Sequence, residues 1–160
     1  MIIRQMGDQE CRVTLARTSL ARLGCCLENQ PYVVPVYIAY EPGFIYVFST
    51  LGQKIEWMRA NPRVCIQADE IVSESNWASV VVNGRFQDLP EPKFSAERAH
   101  ARQLLKHHHD WWLNAVGERR LTLEKDLSME PVFFRIEIES TTGLRAIPEG
   151  QQTATLSPNA

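Results

Sequence analysis

Apolar and polar residues alternate along this chain in short blocks, and the blocks from Leu20 onward have the composition of β-strands. Runs rich in Val, Ile, Tyr and Phe are separated by turn residues, as at Glu41-Pro42-Gly43. Such runs, divided by turn chemistry, are typical of antiparallel strands joined in a meander. The pattern predicts six strands, at residues 20–27, 32–40, 44–49, 63–69, 77–88 and 131–139.

A helical spacing of apolar residues follows the third predicted strand. The residues at i, i+4 and i+7 of one helix face are Leu51, Ile55 and Met58. Thr50 with Gln53 three residues on is typical of a capping box, and Pro62 ends the segment. Two further helices are predicted, at residues 8–17 with Asp8 as the N-cap, and at residues 94–116.

The predicted strand at residues 32–40 is apolar at both odd and even positions. A strand with one solvent-exposed face would alternate apolar and polar residues. Both faces of this strand are therefore expected to be covered, as in a barrel or a sandwich. Pro35 lies inside this strand although it has no backbone N–H to donate. It is therefore expected at a bulge, at a sheet edge, or where the strand opens towards another group, of which a ligand is one candidate.

The composition is that of a single globular domain. Of 160 residues, 44% are apolar and 22% are charged, which excludes disordered and collagen-like chains. The closing residues are rich in Gln, Thr and Pro. We therefore expect one domain over residues 1–145 and a flexible C-terminal tail over residues 146–160.

The charge distribution argues against two classes of partner. The net charge is −2, and the basic residues are scattered, so no nucleic-acid surface is expected. No apolar run approaches the roughly 20 residues of a membrane helix, and the N-terminus has no signal-peptide core. We expect a cytoplasmic protein that binds neither nucleic acid nor membranes.

Neither the cysteines nor the histidines are spaced like metal ligands. Cys11, Cys25, Cys26 and Cys65 contain no CxxC pair, and we interpret them as small buried hydrophobic residues. All four histidines lie between residues 100 and 109, where a polar helix face accounts for them. No metal site is expected.

The segment from Phe48 to Lys54 is the strongest candidate for a binding site. A strand ends here in two hydroxyl residues, Ser49 and Thr50, and a helix begins with a lysine in its first turn. Free backbone N–H groups and the helix dipole favour an anion at such a position. The segment is either a phosphate cradle or an ordinary helix cap with an exposed lysine.

Five segments of the chain have an order and spacing that are found together in one protein family. They are Gln30-Pro31-Tyr32-Val33-Val34-Pro35-Val36, Phe44-Ile45-Tyr46-Val47-Phe48-Ser49-Thr50, Gly52-Gln53-Lys54, Asn61-Pro62-Arg63-Val64 and Ser79-Val80-Val81-Val82-Asn83-Gly84-Arg85. Together they resemble the pyridoxamine 5'-phosphate oxidase-like superfamily, and more narrowly the branch that includes nitroimidazole-resistance proteins.

The resemblance implies a mostly β fold, a six-stranded antiparallel split β-barrel of the FMN-binding type with flanking helices. It also implies a homodimer with two flavins at the subunit interface. The spacing Lys-x6-Asn-Pro, which begins at Lys54, matches the family's phosphate-binding lysine and the helix that follows. The implied cofactor contacts are Val34, Pro35, Val36, Phe48, Ser49, Thr50, Gln53, Lys54, Trp77 and Ser79.

These implied contacts have different roles. The phosphate and the ribityl chain would be bound by Ser49, Thr50, Gln53 and Lys54. Residues Val34 to Val36 would lie along the isoalloxazine ring. Ser79 takes the position of a family glutamine near the flavin. Trp77 is either a stacking partner nearby or a buried structural tryptophan.

Departures from the family pattern narrow the expected reaction. Pyridoxamine phosphate oxidases carry Arg-x-Val-Leu-Leu-Lys where this chain has Val34 and Ala39 in place of the two cations. The C-terminal Arg-x-His pattern is also absent, so vitamin B6 oxidation is not expected. Nitroimidazole-resistance proteins often carry a histidine near the position of Phe48, and its absence argues against nitroimidazole reduction.

The expected function is that of an FMN-dependent oxidoreductase acting on an unknown small substrate. The flavin would supply the chemistry, and no catalytic acid or base is assigned. The alternative is a non-catalytic protein that holds flavin or haem on the same fold. The replacement of both family cations motivates this alternative.

Overall fold

A computed structural model describes residues 1–106 and 131–149 of the chain. Within these ranges most of the predicted strands and helices form close to their expected positions. The elements in chain order are β1 (Ile2–Gln5), α1 (Asp8–Arg17), β2 (Leu20–Leu27), β3 (Gln30–Glu41), β4 (Phe44–Thr50), α2 (Gln53–Ala60), β5 (Arg63–Ser73), β6 (Asn76–Asp88), α3 (Ser95–Leu104) and β7 (Pro131–Ile147).

Six of these strands close into a ring. Their order is β7-β4-β3-β2-β5-β6, and β6 also pairs with β7, which joins the two edges of the sheet. All the pairs are antiparallel, and β1 adds to the last residues of β7, with Ile2 opposite Ile147. The predicted six-stranded antiparallel split β-barrel with flanking helices is confirmed.

The main hydrophobic core fills the inside of the barrel. Val80 and Val82 on β6 are fully buried, as are Phe134 and Ile136 on β7. The rings of Phe86 and Phe134 lie 5.2 Å apart between their centroids. Because inward residues alternate with outward ones along each strand, this interior follows from the period-two pattern of the sequence.

Helix α1 packs against the barrel through its apolar face. Cys11 and Leu15 are buried on this helix. Gly143 on β7 lies beneath it, and a Cβ at this glycine would come within 2.7 Å of Cys11 Sγ. The helix can approach the strand this closely because position 143 has no side chain.

A second hydrophobic cluster lies outside the barrel, beneath α3. It consists of Tyr46, Phe48, Leu89, Ala101, Leu105 and Phe133. Tyr37 and Ala39 on β3 pack against this cluster, whereas Val33 on the same outward face is 64% exposed. The expectation that both faces of β3 are covered therefore holds for its second half only.

The sequence pattern missed one strand and cut another short. Strand β1 has four residues, all of them exposed. Its sequence Ile-Ile-Arg-Gln does not alternate apolar and polar residues, so the pattern gave no sign of a strand. Strand β7 continues to Ile147, beyond the predicted strand end at residue 139. Its last residues pair with β6 and β1, so the sheet includes residues 146 and 147, which were expected in the flexible tail.

The helices differ from expectation mainly at their ends. Helix α2 begins at Gln53 with Gly52 as its N-cap and without a side-chain hydrogen bond, so the expected capping box at Thr50 does not form. Helix α1 has Gly7 as its N-cap rather than Asp8. The predicted continuation of the third helix to residue 116, which holds three of the four histidines, lies outside the described residues.

The helices in the described ranges are all too short or too polar to span a lipid bilayer.

Candidate functional site

The barrel opens between β3 and β4. These strands pair only from Ile38↔Val47 to Glu41↔Phe44. Before Ile38, β3 pairs with β2, and after Val47, β4 continues its pairing with β7 alone. The two strands therefore separate, and Pro35 lies on the separating part of β3. Of the three settings predicted for Pro35, the structure shows the opening of the strand.

A cleft of about 170 Å³ occupies this opening. Strands β3 and β4 form its walls, and α2 contributes a lysine. We call it the split cleft, and its lining residues are Pro35, Val36, Tyr37, Phe48, Ser49, Thr50 and Lys54. A concave site with apolar walls and a few polar groups is typical of small-molecule binding.

Lys54 is the cation of the split cleft. Burial lowers the pKa of its ammonium group below the ordinary value, and the Cys25 thiol on β2 acts in the opposite direction. Lys54 makes no ion pair with a carboxylate within residues 1–106 and 131–149. A partly buried cation without an acidic partner is costly by itself and suits an anionic ligand.

The first turn of α2 presents backbone donors beside this lysine. The carbonyl of Gly52 accepts from the amides of Ile55 and Glu56. The amides of Gln53 and Lys54 have no acceptor among the described residues. A Cβ at Gly52 would meet nothing within 4 Å, so the space next to the helix start is open. These amides and the ammonium group form a donor set that fits a phosphate.

Ser49 and Thr50 end β4 at the edge of the split cleft. Ser49 is 8% exposed, and its hydroxyl donates to the carbonyl of Thr50 at 3.1 Å. The hydroxyl is therefore in the predicted place, but it must rotate away from the backbone to donate to a ligand.

The structure brings together six of the ten predicted contact residues, namely Pro35, Val36, Phe48, Ser49, Thr50 and Lys54. The other four lie outside the lining of the split cleft. Val34 packs against the barrel interior, and Gln53 is exposed on the first turn of α2. Trp77 and Ser79 lie on β6, which β2 and β5 separate from β3.

Tyr37 lines the split cleft but was not among the predicted contacts. Side chains two apart on a strand share a face. Pro35 was a predicted contact, so the period of two from this residue was the signal that could have identified Tyr37.

A group of polar side chains on the outward face of β2, β5 and β6 was also missed, apart from Ser79. Arg22 Nη1 lies 3.2 Å from Asp69 Oδ2. Gln67 Nε2 donates to the same Oδ2 at 3.1 Å and to Ser79 Oγ at 3.0 Å. We call these four residues the polar cluster. Gln67 and Asp69 alternate with buried residues on β5, and this spacing was the available signal.

A larger depression of about 310 Å³ lies beside the turn between β3 and β4, at the other end of β4. Its lining residues are Asp8, Arg12, Leu15, Tyr40, Pro42, Gly43, Ile138, Glu139, Ser140 and Thr141. None of the ten predicted contacts is among them. We therefore choose the split cleft as the candidate site because of its hydrogen-bond donors, although the other depression is larger.

An antiparallel ring of six strands in which two neighbouring strands separate is the architecture of a split barrel. The family model for pyridoxamine 5'-phosphate oxidase matches residues 7–145. The chain belongs to this family, and the resemblance seen in the sequence is confirmed.

Three relatives illustrate the relationship. An uncharacterized protein of Rhizobium meliloti (strain 1021) is 41% identical over 147 residues, which are 91% of this chain and 97% of the relative. The crystal structure of an FAD-binding protein from Mesorhizobium loti matches with a TM-score of 0.76 and 41% identity, covering 92% of this chain and 99% of that chain. A candidate 5-nitroimidazole antibiotic resistance protein from Bacteroides thetaiotaomicron matches with a TM-score of 0.62 and 19% identity over 91% of this chain and 89% of that chain, which shows a shared fold.

Proposed function

We propose that this chain binds FMN in the split cleft and acts as a flavin-dependent oxidoreductase on a small substrate. The observation that carries the proposal is the half-buried Lys54, which has no carboxylate partner among the described residues and lies beside the uncapped start of α2. A flavin nucleotide combines a phosphate with a planar apolar ring. The split cleft offers hydrogen-bond donors for the phosphate and apolar walls for the ring.

The relatives support a flavin nucleotide in particular. The chain is 41% identical to the FAD-binding protein of Mesorhizobium loti over nearly the whole of both chains. The phosphate attached to the ribityl chain is common to FMN and FAD, so the same donors suit both. Only FMN ends at this phosphate, and we propose it as the cofactor because its single phosphate matches the one cation that lines the cleft among the described residues.

The roles of the residues follow from their positions. Lys54 and the free amides of α2 would bind the phosphate, and Ser49 would contact the ribityl chain. Pro35 and Tyr37 would lie against the ring. The flavin, when bound, supplies transfer of hydride or of single electrons. The protein contributes binding, orientation and exclusion of water.

The surface beside the split cleft supports a homodimer with the flavin at the subunit interface. Leu20 on β2 is 44% exposed and Val33 on β3 is 64% exposed, and these two strands are paired. Exposed apolar surface of this kind is typical of a face that a partner covers. Light scattering of the purified protein should give the mass of a dimer, and a monomer would contradict this part of the proposal.

The phosphate site is tested by replacing its cation. In Lys54→Met the charge is lost while most of the apolar stem remains, so the affinity for FMN should fall about 10- to 100-fold, the range for a hydrogen bond to a charged group. The affinity for riboflavin, which has no phosphate, should not change. Fluorescence titration measures both.

Lys93→Met is the matched control, since Lys93 is exposed beyond the end of β6. It should leave both affinities unaltered. If Lys54→Met binds FMN as tightly as the wild type, the phosphate binds elsewhere.

The identity of the cofactor is tested without any variant. The purified protein is denatured, and the released chromophore is separated by chromatography against FMN and FAD standards. We expect FMN. Release of FAD would keep the flavin site but correct the nucleotide.

Catalysis is tested separately from binding. The flavin-loaded protein is mixed with reduced nicotinamide and a panel of electron acceptors, and oxidation of the nicotinamide is followed by absorbance. We expect turnover with at least one acceptor. No hydride uptake under any condition would favour the alternative, a non-catalytic flavin-binding protein on the same barrel.

A further inference from the structure

The polar cluster lies on the outward face of β2, β5 and β6. Asp69 is its centre, because Oδ2 accepts from both Arg22 and Gln67. The side chain of Asp69 is 13% exposed, while that of Arg22 is 49% exposed. The carboxylate thus holds the two longer side chains in place, and Arg22 remains accessible from outside.

The polar cluster continues the surface of the split cleft. Arg22 on β2 lies opposite Pro35 on β3, which lines the cleft, and also opposite Gln67 on β5. Residues that face each other across antiparallel strands point to the same side of the sheet. With about 4.8 Å between strands, Gln67 lies roughly 10 Å from Pro35 across this face.

The side chains in the polar cluster retain unused hydrogen-bonding capacity. Gln67 uses its amide nitrogen for Asp69 and Ser79, and no described residue donates to its Oε1. Arg22 uses one nitrogen for Asp69, and its remaining guanidinium donors meet no acceptor in the described ranges. An acceptor and a set of cationic donors therefore lie next to each other and face outward.

The polar edge of a flavin ring has the complementary pattern. Its two carbonyl oxygens flank one N–H group, so it needs an acceptor for the N–H and donors for the carbonyls. The two paired-strand intervals from Pro35 to Gln67, roughly 10 Å, are comparable with the length of the flavin ring system.

We propose that Arg22 and Gln67 bind the polar edge of the flavin ring, with Gln67 Oε1 accepting from the ring N–H and Arg22 donating to a carbonyl. The inference rests on the proposed flavin site and adds the residues that would fix the ring. Asp69 is a positioning residue, since it acts through the other two. A cation at this edge also favours the negative charge that the ring gains on reduction, so Arg22 raises the reduction potential of the bound flavin.

Gln67 is tested by Gln67→Leu, which removes the amide at nearly constant size. The affinities for FMN and for riboflavin should both fall about 3- to 10-fold, the range for one neutral hydrogen bond. Lys54→Met differs in kind, because it affects FMN alone. Equal affinities for riboflavin in wild type and Gln67→Leu would overturn the role of Gln67.

Arg22 is tested by the reduction potential of bound FMN, measured by spectroelectrochemistry. In Arg22→Met we expect the affinity for the reduced flavin to fall about tenfold more than that for the oxidised flavin, which lowers the potential by about 30 mV for a two-electron couple. Arg22→Lys keeps the charge and should retain most of the potential. Asp69→Asn removes the shared partner of Arg22 and Gln67, so the affinities for FMN and riboflavin should both fall, by less than in Gln67→Leu.

Arg12→Met is the matched control, since Arg12 is an exposed arginine at the larger depression. It should change neither affinity nor potential. If Arg22→Met still binds FMN and the reduction potential of the bound FMN is unchanged, this inference is overturned and the proposed function is not. Wild-type protein that binds neither FMN nor riboflavin would overturn both this inference and the proposed function.

Discussion

Two pairs of strands in this barrel contrast sharply, β6 with β7 and β3 with β4. Strands β6 and β7 pair along most of their length, from Trp77↔Ala146 to Asp88↔Phe134. Strands β3 and β4 pair only near their shared turn and then separate at Ile38. Both are antiparallel neighbours in the same ring, so the difference lies in how far each ladder continues.

The comparison shows that stability and binding depend on different parts of the same sheet. The long ladder buries inward side chains such as Val80 and Ile136 completely and satisfies its backbone groups internally. The short ladder leaves an opening in which Lys54 and the start of α2 present donors to a ligand. Substitutions in the β6–β7 ladder should therefore change the stability of the protein, and substitutions at the split cleft should change ligand binding.

The largest expected effect is on the long ladder, at Gly84. The pairing of β6 with β7 shifts register between Asn83 and Gly84. A Cβ at Gly84 would lie 2.3 Å from the Glu137 carbonyl oxygen and 2.8 Å from Ile136 Cγ2. The first atom is backbone and cannot move without breaking the ladder, so Gly84→Ala should lower the free energy of unfolding by at least about 3 kcal/mol. Urea unfolding followed by circular dichroism measures this change.

Gly7→Ala is the control for this prediction. Gly7 has φ −76°, which any residue can adopt, and a Cβ there would meet nothing within 4 Å. Its cost should stay below about 1 kcal/mol. Equal costs at both glycines would show that the β6–β7 ladder tolerates local distortion.

The second prediction concerns the pH dependence of FMN binding in the split cleft. Burial lowers the pKa of Lys54 in the free protein, and a phosphate binds the protonated amine. The affinity for FMN should therefore decrease as the pH rises through this lowered pKa, which lies below the ordinary value for a lysine. The affinity for riboflavin should stay level, and fluorescence titration at several pH values measures both. A parallel decrease for riboflavin would show that another group is responsible.

The third prediction is that the same lysine contributes little to folding. A pKa lowered in the folded state means that burial disfavours the charged amine. This penalty is complete below the lowered pKa and disappears as the pH rises from the lowered pKa to the ordinary value. Lys54→Met should therefore keep or slightly raise the free energy of unfolding, by less than about 1 kcal/mol. Urea unfolding at two pH values measures it. A clear loss of stability would contradict the separation of binding from folding.

The smallest effect is expected where β1 joins α1. Arg4 holds the carboxylate of Glu10 through two contacts of 2.6 and 2.8 Å and lowers the pKa of Glu10 from 4.5 to about 2. The stabilisation is complete above pH 4.5 and is lost as the pH falls towards 2. Because the pair is exposed, Glu10→Gln should cost less than about 1 kcal/mol at neutral pH, and the difference from wild type should vanish in acid.

Thermal unfolding between pH 2 and pH 7 measures this difference. The control is Glu137→Gln, since Glu137 is exposed on β7 and forms no ion pair within the described ranges. If the difference in stability between Glu10→Gln and the wild type does not change with pH, the Arg4–Glu10 ion pair does not stabilise the contact between β1 and α1.

Much of the fold could be predicted because it depends on local periodicity. Helix α1 forms over the predicted residues, and β6 alternates as expected along nearly its whole length. Strand β1 and the end of β7 were not predicted, since neither shows an apolar alternation. They are strands because each supplies the other with backbone partners, and the pattern of one segment does not reveal the pairing of another.

The candidate site divides in the same way. The sequence by itself determined that Ser49, Thr50 and Lys54 lie together, because a strand end and a helix start are adjacent in the chain. Only the tertiary structure placed Arg22 beside Gln67, which is 45 residues further along the chain. The physical reason is that strand pairing joins residues that are distant in sequence, and the ladder that stops at Ile38 decides where the barrel opens.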